Sequence, residues 1–158
     1  MAEQSRVRQN YWAILAAAIG CFLLEAVWYT IFQQPWLTGI GRTREEIMGM
    51  GVNPALQYGT ALVSAAVMAA AISCVTQLTG PQTAWRGMRV ATALWMGFVI
   101  TTWATEYVFE VRPWSLLAIN AGVWFLGMNL MGAIVGAWKA KANVAQAAAQ
   151  DSAVLNAR

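Results

Sequence analysis

The sequence predicts an all-α membrane protein of four transmembrane helices, arranged as two antiparallel hairpins with both termini on the cytoplasmic side. Three observations predict it. The 158 residues are 59% apolar and only 11% charged, where soluble domains carry about 25% charged residues. Four segments are each dominated by Ala, Leu, Ile, Val, Met, Gly and Trp for ~20 residues or more, the length a helix needs to cross ~30 Å of hydrocarbon. The basic residues are also divided unequally between the connections. Arg6, Arg8, Arg86, Arg89, Lys139, Lys141 and Arg158 fall on one side, against Arg42, Arg44 and Arg112 on the other. Seven against three places the termini and the middle connection in the cytoplasm, because loops rich in Lys and Arg stay inside.

Residues 1–10 form a short polar tail, and the first span covers 11–32. Arg6 and Arg8 ahead of an apolar run resemble a secretory signal, but the run is too long and ends without a small-residue cleavage site. It is a permanent helix. The outer connection, 33–54, is the longest. Pro35, Gly39 and Gly41 predict broken structure there, whereas Thr43 three residues before Glu46 is a capping-box pattern that predicts a short surface helix over 44–50. The second span, 55–78, stops at Thr79-Gly80-Pro81. The third, 87–109, is separated from the fourth, 114–138, only by Glu110-Val111-Arg112-Pro113, which dictates a tight antiparallel hairpin. Residues 139–158 are a second cytoplasmic tail, rich in Ala and Gln.

The composition also excludes chemistry. With no histidine in the chain, the usual zinc sites, histidine-ligated haem and the commonest general base are unsupported. No phosphate-cradling loop and no nucleophile elbow is present. No catalytic residue, metal or cofactor is therefore expected. Cys21 and Cys74 stand at different depths, which argues against a disulfide. The net charge of +3 comes from residues flanking apolar segments, so lipid and not nucleic acid is the expected surrounding. Aromatic residues frame the spans as an interfacial belt. Tyr11, Trp12, Trp85 and Trp138 lie at the inner boundary, and Trp28, Tyr29, Trp36, Tyr58, Trp103, Tyr107 and Trp114 toward the outer one.

Glu25 is the most informative single residue. A carboxylate inside a membrane helix costs on the order of 2–3 kcal/mol to insert and must face protein or water. Its depth matches that of Thr102 and Thr105 on the third span and Asn120 on the fourth, which predicts a polar cluster in the outer half of the bundle. Read functionally, Glu25 binds a proton or cation; read structurally, it is hydrogen-bonded between helices. Glu106, Glu110 and Arg112 gather at the outer end of the third span, where two carboxylates one turn apart either bind a divalent cation, work as an acid and base pair, or are solvated with Arg112 neutralising one of them. The fourth span carries Gly122, Asn129, Gly132 and Gly136, and Gly132-Ala-Ile-Val-Gly136 is a GxxxG row that lets two helices approach closely. The seam serves packing within one bundle or a homodimer.

These residues, with Asn10-Tyr-Trp-Ala-Ile-Leu, Trp28-Tyr29, Asn53-Pro54, Phe109-Glu-Val-Arg-Pro113 and Ile119-Asn-Ala-Gly122, resemble the bacterial domain of unknown function 1761 family over about residues 10–138. The resemblance implies a small four-helix integral membrane protein of the inner membrane. Glu110, Arg112 and Asn120 match the family's motif, and no activity is carried over. Two positions depart from the family: Thr30-Ile31 stands where Ser-Pro is usual, and Glu25 where a small residue is usual. The leading expectation is a non-enzymatic protein acting through helix packing, as a homo-oligomer or as an accessory subunit of a larger membrane complex. The alternatives are a small transporter or ion or proton pathway centred on Glu25, and a carboxylate-based membrane enzyme using Glu106 and Glu110.

Overall fold

A computed structural model describes residues 7–138. Arg6, Lys139, Lys141 and Arg158, with most of both expected tails, lie outside the described residues. Within them every regular element is helical. Helix α1 (Tyr11–Ile31) starts at Asn10, whose side chain accepts from the Ala13 N–H at 3.2 Å, and stops one residue short of the expected end. The stop has a chemical cause. Pro35 lacks the N–H that would reach the Ile31 carbonyl, so the chain bends at Phe32 and starts α2 (Gln33–Ile40) at once.

Helix α2 departs from the expectation of broken structure. Pro35 falls in its first turn, where a backbone N–H is not needed. Gly39 is a close-approach residue, since a Cβ there would sit 2.9 Å from that of Leu116. Only Gly41 breaks the helix: its φ of +66° closes a left-handed cap in which the Gly41 and Arg42 N–H groups donate to Thr38 and Leu37. Helix α3 (Arg44–Gly49) carries the capping box, with the Glu46 N–H donating to Thr43 Oγ1 at 3.2 Å and the Thr43 N–H to Glu46 Oε2 at 2.8 Å. It ends one residue before Met50.

Helix α4 (Pro54–Leu78) begins with proline at its first position behind an Asn53 cap. Helix α5 (Ala84–Leu94) begins three residues ahead of the expected Gly87, because Thr83 caps it by accepting from the Arg86 N–H at 3.1 Å. A π-helical turn (Trp95–Val99) then widens the helix before α6 (Ile100–Phe109), with the Ile100 N–H bonded to the Trp95 carbonyl five residues back. The last helix is α7 (Trp114–Ala137). Three of these, α1, α4 and α7, are long and apolar enough to cross a membrane.

Helix α7 is the axis of the fold, packing most extensively on α5 and then on α1 and α4. The buried residues are small: Ala13, Ala17, Ala18 and Cys21 of α1, Ala65 and Ala69 of α4, and Ala91 of α5, around Ile72, Met131 and Val135. Small side chains let helix axes come close, which is how helices gain dispersion energy where no water drives them together. Much of the outer surface is apolar too. Leu23, Val27, Ile31, Val63, Val67 and Phe98 are all more than half exposed, a pattern that soluble monomers avoid and lipid accommodates.

Candidate functional site

The α5–α7 contact consumes the glycine seam. At Gly132 an added Cβ would collide with the Gly87 carbonyl, at Gly87 with that of Gly132, and at Gly136 with that of Thr83. Along the same line Thr92 Oγ1 donates to Asn129 Oδ1 at 3.0 Å, and Asn129 Nδ2 donates to the Phe125 carbonyl at 2.8 Å. Gly122 faces α1, where its Cβ would meet the Trp28 ring at 3.3 Å. Gly122, Asn129, Gly132 and Gly136 are thus all seated inside one chain.

Toward the end of the bundle that carries α2 and α3, the family-motif residues join into one chain of contacts. Arg112 pairs with Glu110 and stands over the Tyr107 ring, 5.5 Å from its centroid. Asn120 Nδ2 donates to the Tyr107 hydroxyl at 2.7 Å, and Asn120 Oδ1 accepts from the Tyr29 hydroxyl at 3.0 Å. Two tryptophans brace α7 on either side of Asn120: the Trp28 indole N–H donates to the Ile119 carbonyl at 3.1 Å and that of Trp95 to the Ala121 carbonyl at 3.0 Å. Trp28 is thus more than the boundary-belt residue its place in the sequence predicts, and Trp95 joins it in a role that the sequence does not announce. The available signal was that an indole N–H in the middle of an apolar segment needs an acceptor. The π turn supplies the geometry for Trp95, since one extra residue in a turn re-aims its side chains.

Tyr29 is also a wall of a cleft. The cleft encloses about 790 Å³ between α1, α2, α3 and the first turns of α4, and Glu25 lines it with Phe22, Trp36, Arg44 and Tyr58. Glu25 lies six residues before the end of α1, about 9 Å along the helix at ~1.5 Å per residue. It is half-buried, and among the described residues its one hydrogen bond comes from the Cys21 thiol at 3.9 Å and no cation lies within ion-pair distance of it. A sulfur–oxygen contact of this length is weak, so the carboxylate keeps most of its hydrogen-bonding capacity for the cleft.

The expected cluster of Glu25 with Thr102, Thr105 and Asn120 is assembled differently. Asn120 reaches the cleft wall through Tyr29, one residue class removed from Glu25 itself. Thr102 and Thr105 lie exposed on α6, and the Thr105 hydroxyl donates back to the Thr101 carbonyl at 3.0 Å. Equal depth along two helices does not put side chains on facing sides, and α6 turns this side away from α1. Glu106 is likewise exposed on α6, while Glu110 is engaged by Arg112. Arg44 and Tyr58, which line the cleft, carried no signal of proximity to Glu25, because the bend at Phe32 that brings α3 over it depends on where Pro35 falls.

No curated protein and no solved structure matches the chain. Residues 12–136 match the family model described as protein of unknown function, DUF1761, and the chain belongs to that family.

Proposed function

We propose that this is a non-enzymatic, four-span membrane protein that binds a ligand or ion in the cleft beside Glu25, acting as a small transporter or ion pathway in a bacterial inner membrane. The observation that carries the reading is the carboxylate itself. It lines a cleft large enough for a small molecule, and among the described residues it has no ion-pair partner and one weak hydrogen bond. Pockets for small ligands fall in the range of about 300–1,000 Å³ and combine apolar walls with a few polar groups. A membrane helix retains an ionisable residue at an energetic cost, and such residues commonly mark ion or substrate paths.

The fourth span is α5, the π turn and α6 taken together. Their 11, 5 and 10 residues extend about 39 Å at ~1.5 Å per residue, enough for the hydrocarbon thickness, with Arg86 and Arg89 reaching the interface from the inner end. Both termini and the connection at 79–83 are cytoplasmic, as the division of Lys and Arg supports. Reporter fusions at Gly80 and Val111 check this orientation, and the same compartment for both would overturn it.

Proteoliposomes test the function. Wild-type protein is expected to pass protons or monovalent cations above the level of empty vesicles, and Glu25→Gln to abolish the difference; equal flux in the two would overturn the reading. A second reading, the homo-oligomer or accessory subunit, rests on a different surface from the α7 seam. Gly97, Thr101 and Thr105 form an exposed small-residue row on one side of the π turn and α6, and nothing lies within 4 Å of a Cβ built on Gly97. Native mass measurement after gentle extraction tests it: a stoichiometric partner or a self-dimer supports the reading and a lone monomer removes it.

A further inference from the structure

We infer that the Glu25 cleft is a receptor for a lipophilic organic monocation, a quaternary ammonium or phosphonium type of molecule; this deepens the cleft-binding reading and rests on it. The walls supply the first argument. Phe22 and Tyr58 meet edge to face with centroids 5.9 Å apart and planes at 90°, and Tyr29 and Trp36 meet at 5.9 Å and 70°. Four aromatic side chains from α1, α2 and α4 therefore line one cavity with a carboxylate. Aromatic faces carry negative electrostatic potential and attract cations that shed their water readily, which organic cations do and small metal ions do not.

Charge supplies the second argument. Glu25 is the one acidic residue lining the cleft, and no basic residue pairs with it among the described residues. Arg44 lines the same cleft from α3 and forms no ion pair with Glu25 among the described residues. The Glu25 carboxylate thus stays available to a bound cation. A divalent metal ion is held by several oxygen ligands, carboxylates foremost, and the cleft lining includes a single carboxylate beside the neutral side chains of Thr30, Gln33 and Gln57. A large cation with diffuse charge needs only one counter-charge and apolar contact, and the lining includes both.

Rigidity supplies the third. The Tyr29 hydroxyl is tied to Asn120 and through it to Tyr107, so the Tyr29 ring is held in place before any ligand arrives. Preformed walls lower the ordering cost of binding.

The experiment uses the full chain in lipid nanodiscs, with radiolabelled tetraphenylphosphonium as the probe and empty nanodiscs subtracted. Tetraphenylborate, having nearly the same shape and the opposite charge, serves as the control in separate samples without phosphonium. Saturable phosphonium binding is expected, weakened about tenfold or more by Glu25→Gln and severalfold by Trp36→Leu and unchanged by Glu106→Gln on the exposed side of α6, with no Glu25-dependent binding of tetraphenylborate. Binding no greater than in empty discs, equal binding by the Glu25→Gln protein, or borate binding that Glu25→Gln weakens as much would each overturn the assignment. Absence of phosphonium binding alongside Glu25-dependent proton or sodium flux overturns the ligand class alone. Absence of both overturns the cleft reading as well.

Discussion

Replacing Gly132 with alanine puts the packing of α7 to a direct test. The added methyl points at the backbone carbonyl of Gly87 and stands 3.1 Å from the Ala91 Cβ. A backbone carbonyl has no rotamer to change, so the helices must part. Overpacking of this kind costs about 1–3 kcal/mol. Parting also stretches the Thr92–Asn129 hydrogen bond one turn away, a further loss of about 1 kcal/mol. Alanine returns about 1 kcal/mol by its better helix propensity. A net destabilisation of about 2 kcal/mol follows. The matched control is Gly59→Ala on α4, exposed and with nothing within 4 Å of the new Cβ, which gains up to ~1 kcal/mol from propensity alone. Unfolding titrations in mixed micelles, followed by circular dichroism, measure both. Since Gly87→Ala separates the same two backbones, its cost and that of Gly132→Ala should combine to less than their sum. If Gly132→Ala lies within about 0.5 kcal/mol of wild type, or Gly59→Ala loses as much as Gly132→Ala, the close backbone crossing is not what holds α7 to α5.

Asn120→Leu removes the acceptor of Tyr29 and the donor to Tyr107, which is only 5% exposed. A loss of about 2–3 kcal/mol is expected in the same titration, with Tyr29→Phe costing only about 1 kcal/mol because it leaves the Asn120–Tyr107 bond in place. Val111 occupies a left-handed position, φ +55°, in the turn between α6 and α7, where the Val111 and Arg112 N–H groups donate to Val108 and Tyr107. A β-branched residue there is strained by about 1–2 kcal/mol, so Val111→Gly should stabilise the protein by up to ~1 kcal/mol after the entropy cost of glycine. A lower stability of that variant in thermal scans would show that the turn is held by something other than backbone preference.

The long helices were legible because the apolar runs at 11–32, 55–78 and 114–138 are set by length and composition, and the caps at Thr43 and the stop at Gly80-Pro81 are local chemistry. The capping box needed nothing beyond four residues to be read. Helix α2 is hidden in the sequence because proline and glycine read locally as breakers, whereas their effect depends on position: Pro35 in a first turn is neutral, and Gly39 answers to Leu116, far away in sequence. Glu25 stood out as a costly charge, and its partners could not be assigned, since depth along a helix fixes one coordinate and leaves rotation open. Thr102 and Thr105 share its depth and face elsewhere. The Arg112, Tyr107, Asn120 and Tyr29 chain was present in the motif residues, but their connection appears only when α6 and α7 fold back on each other and α1 lies alongside.

The bracing of α7 by Trp28 and Tyr29 joins residues 91 positions apart, and this has a consequence for biosynthesis. Because α7 follows α1, α4 and α5 in the chain and is the helix on which they converge, those helices are synthesised with their small-residue faces uncovered and the Trp28 indole N–H without its acceptor. Their packing is complete only once α7 has been made. A chain truncated ahead of Trp114 retains apolar helices competent for insertion yet lacks the surface that makes them one protein, so it should be cleared by membrane quality control while the full-length chain persists.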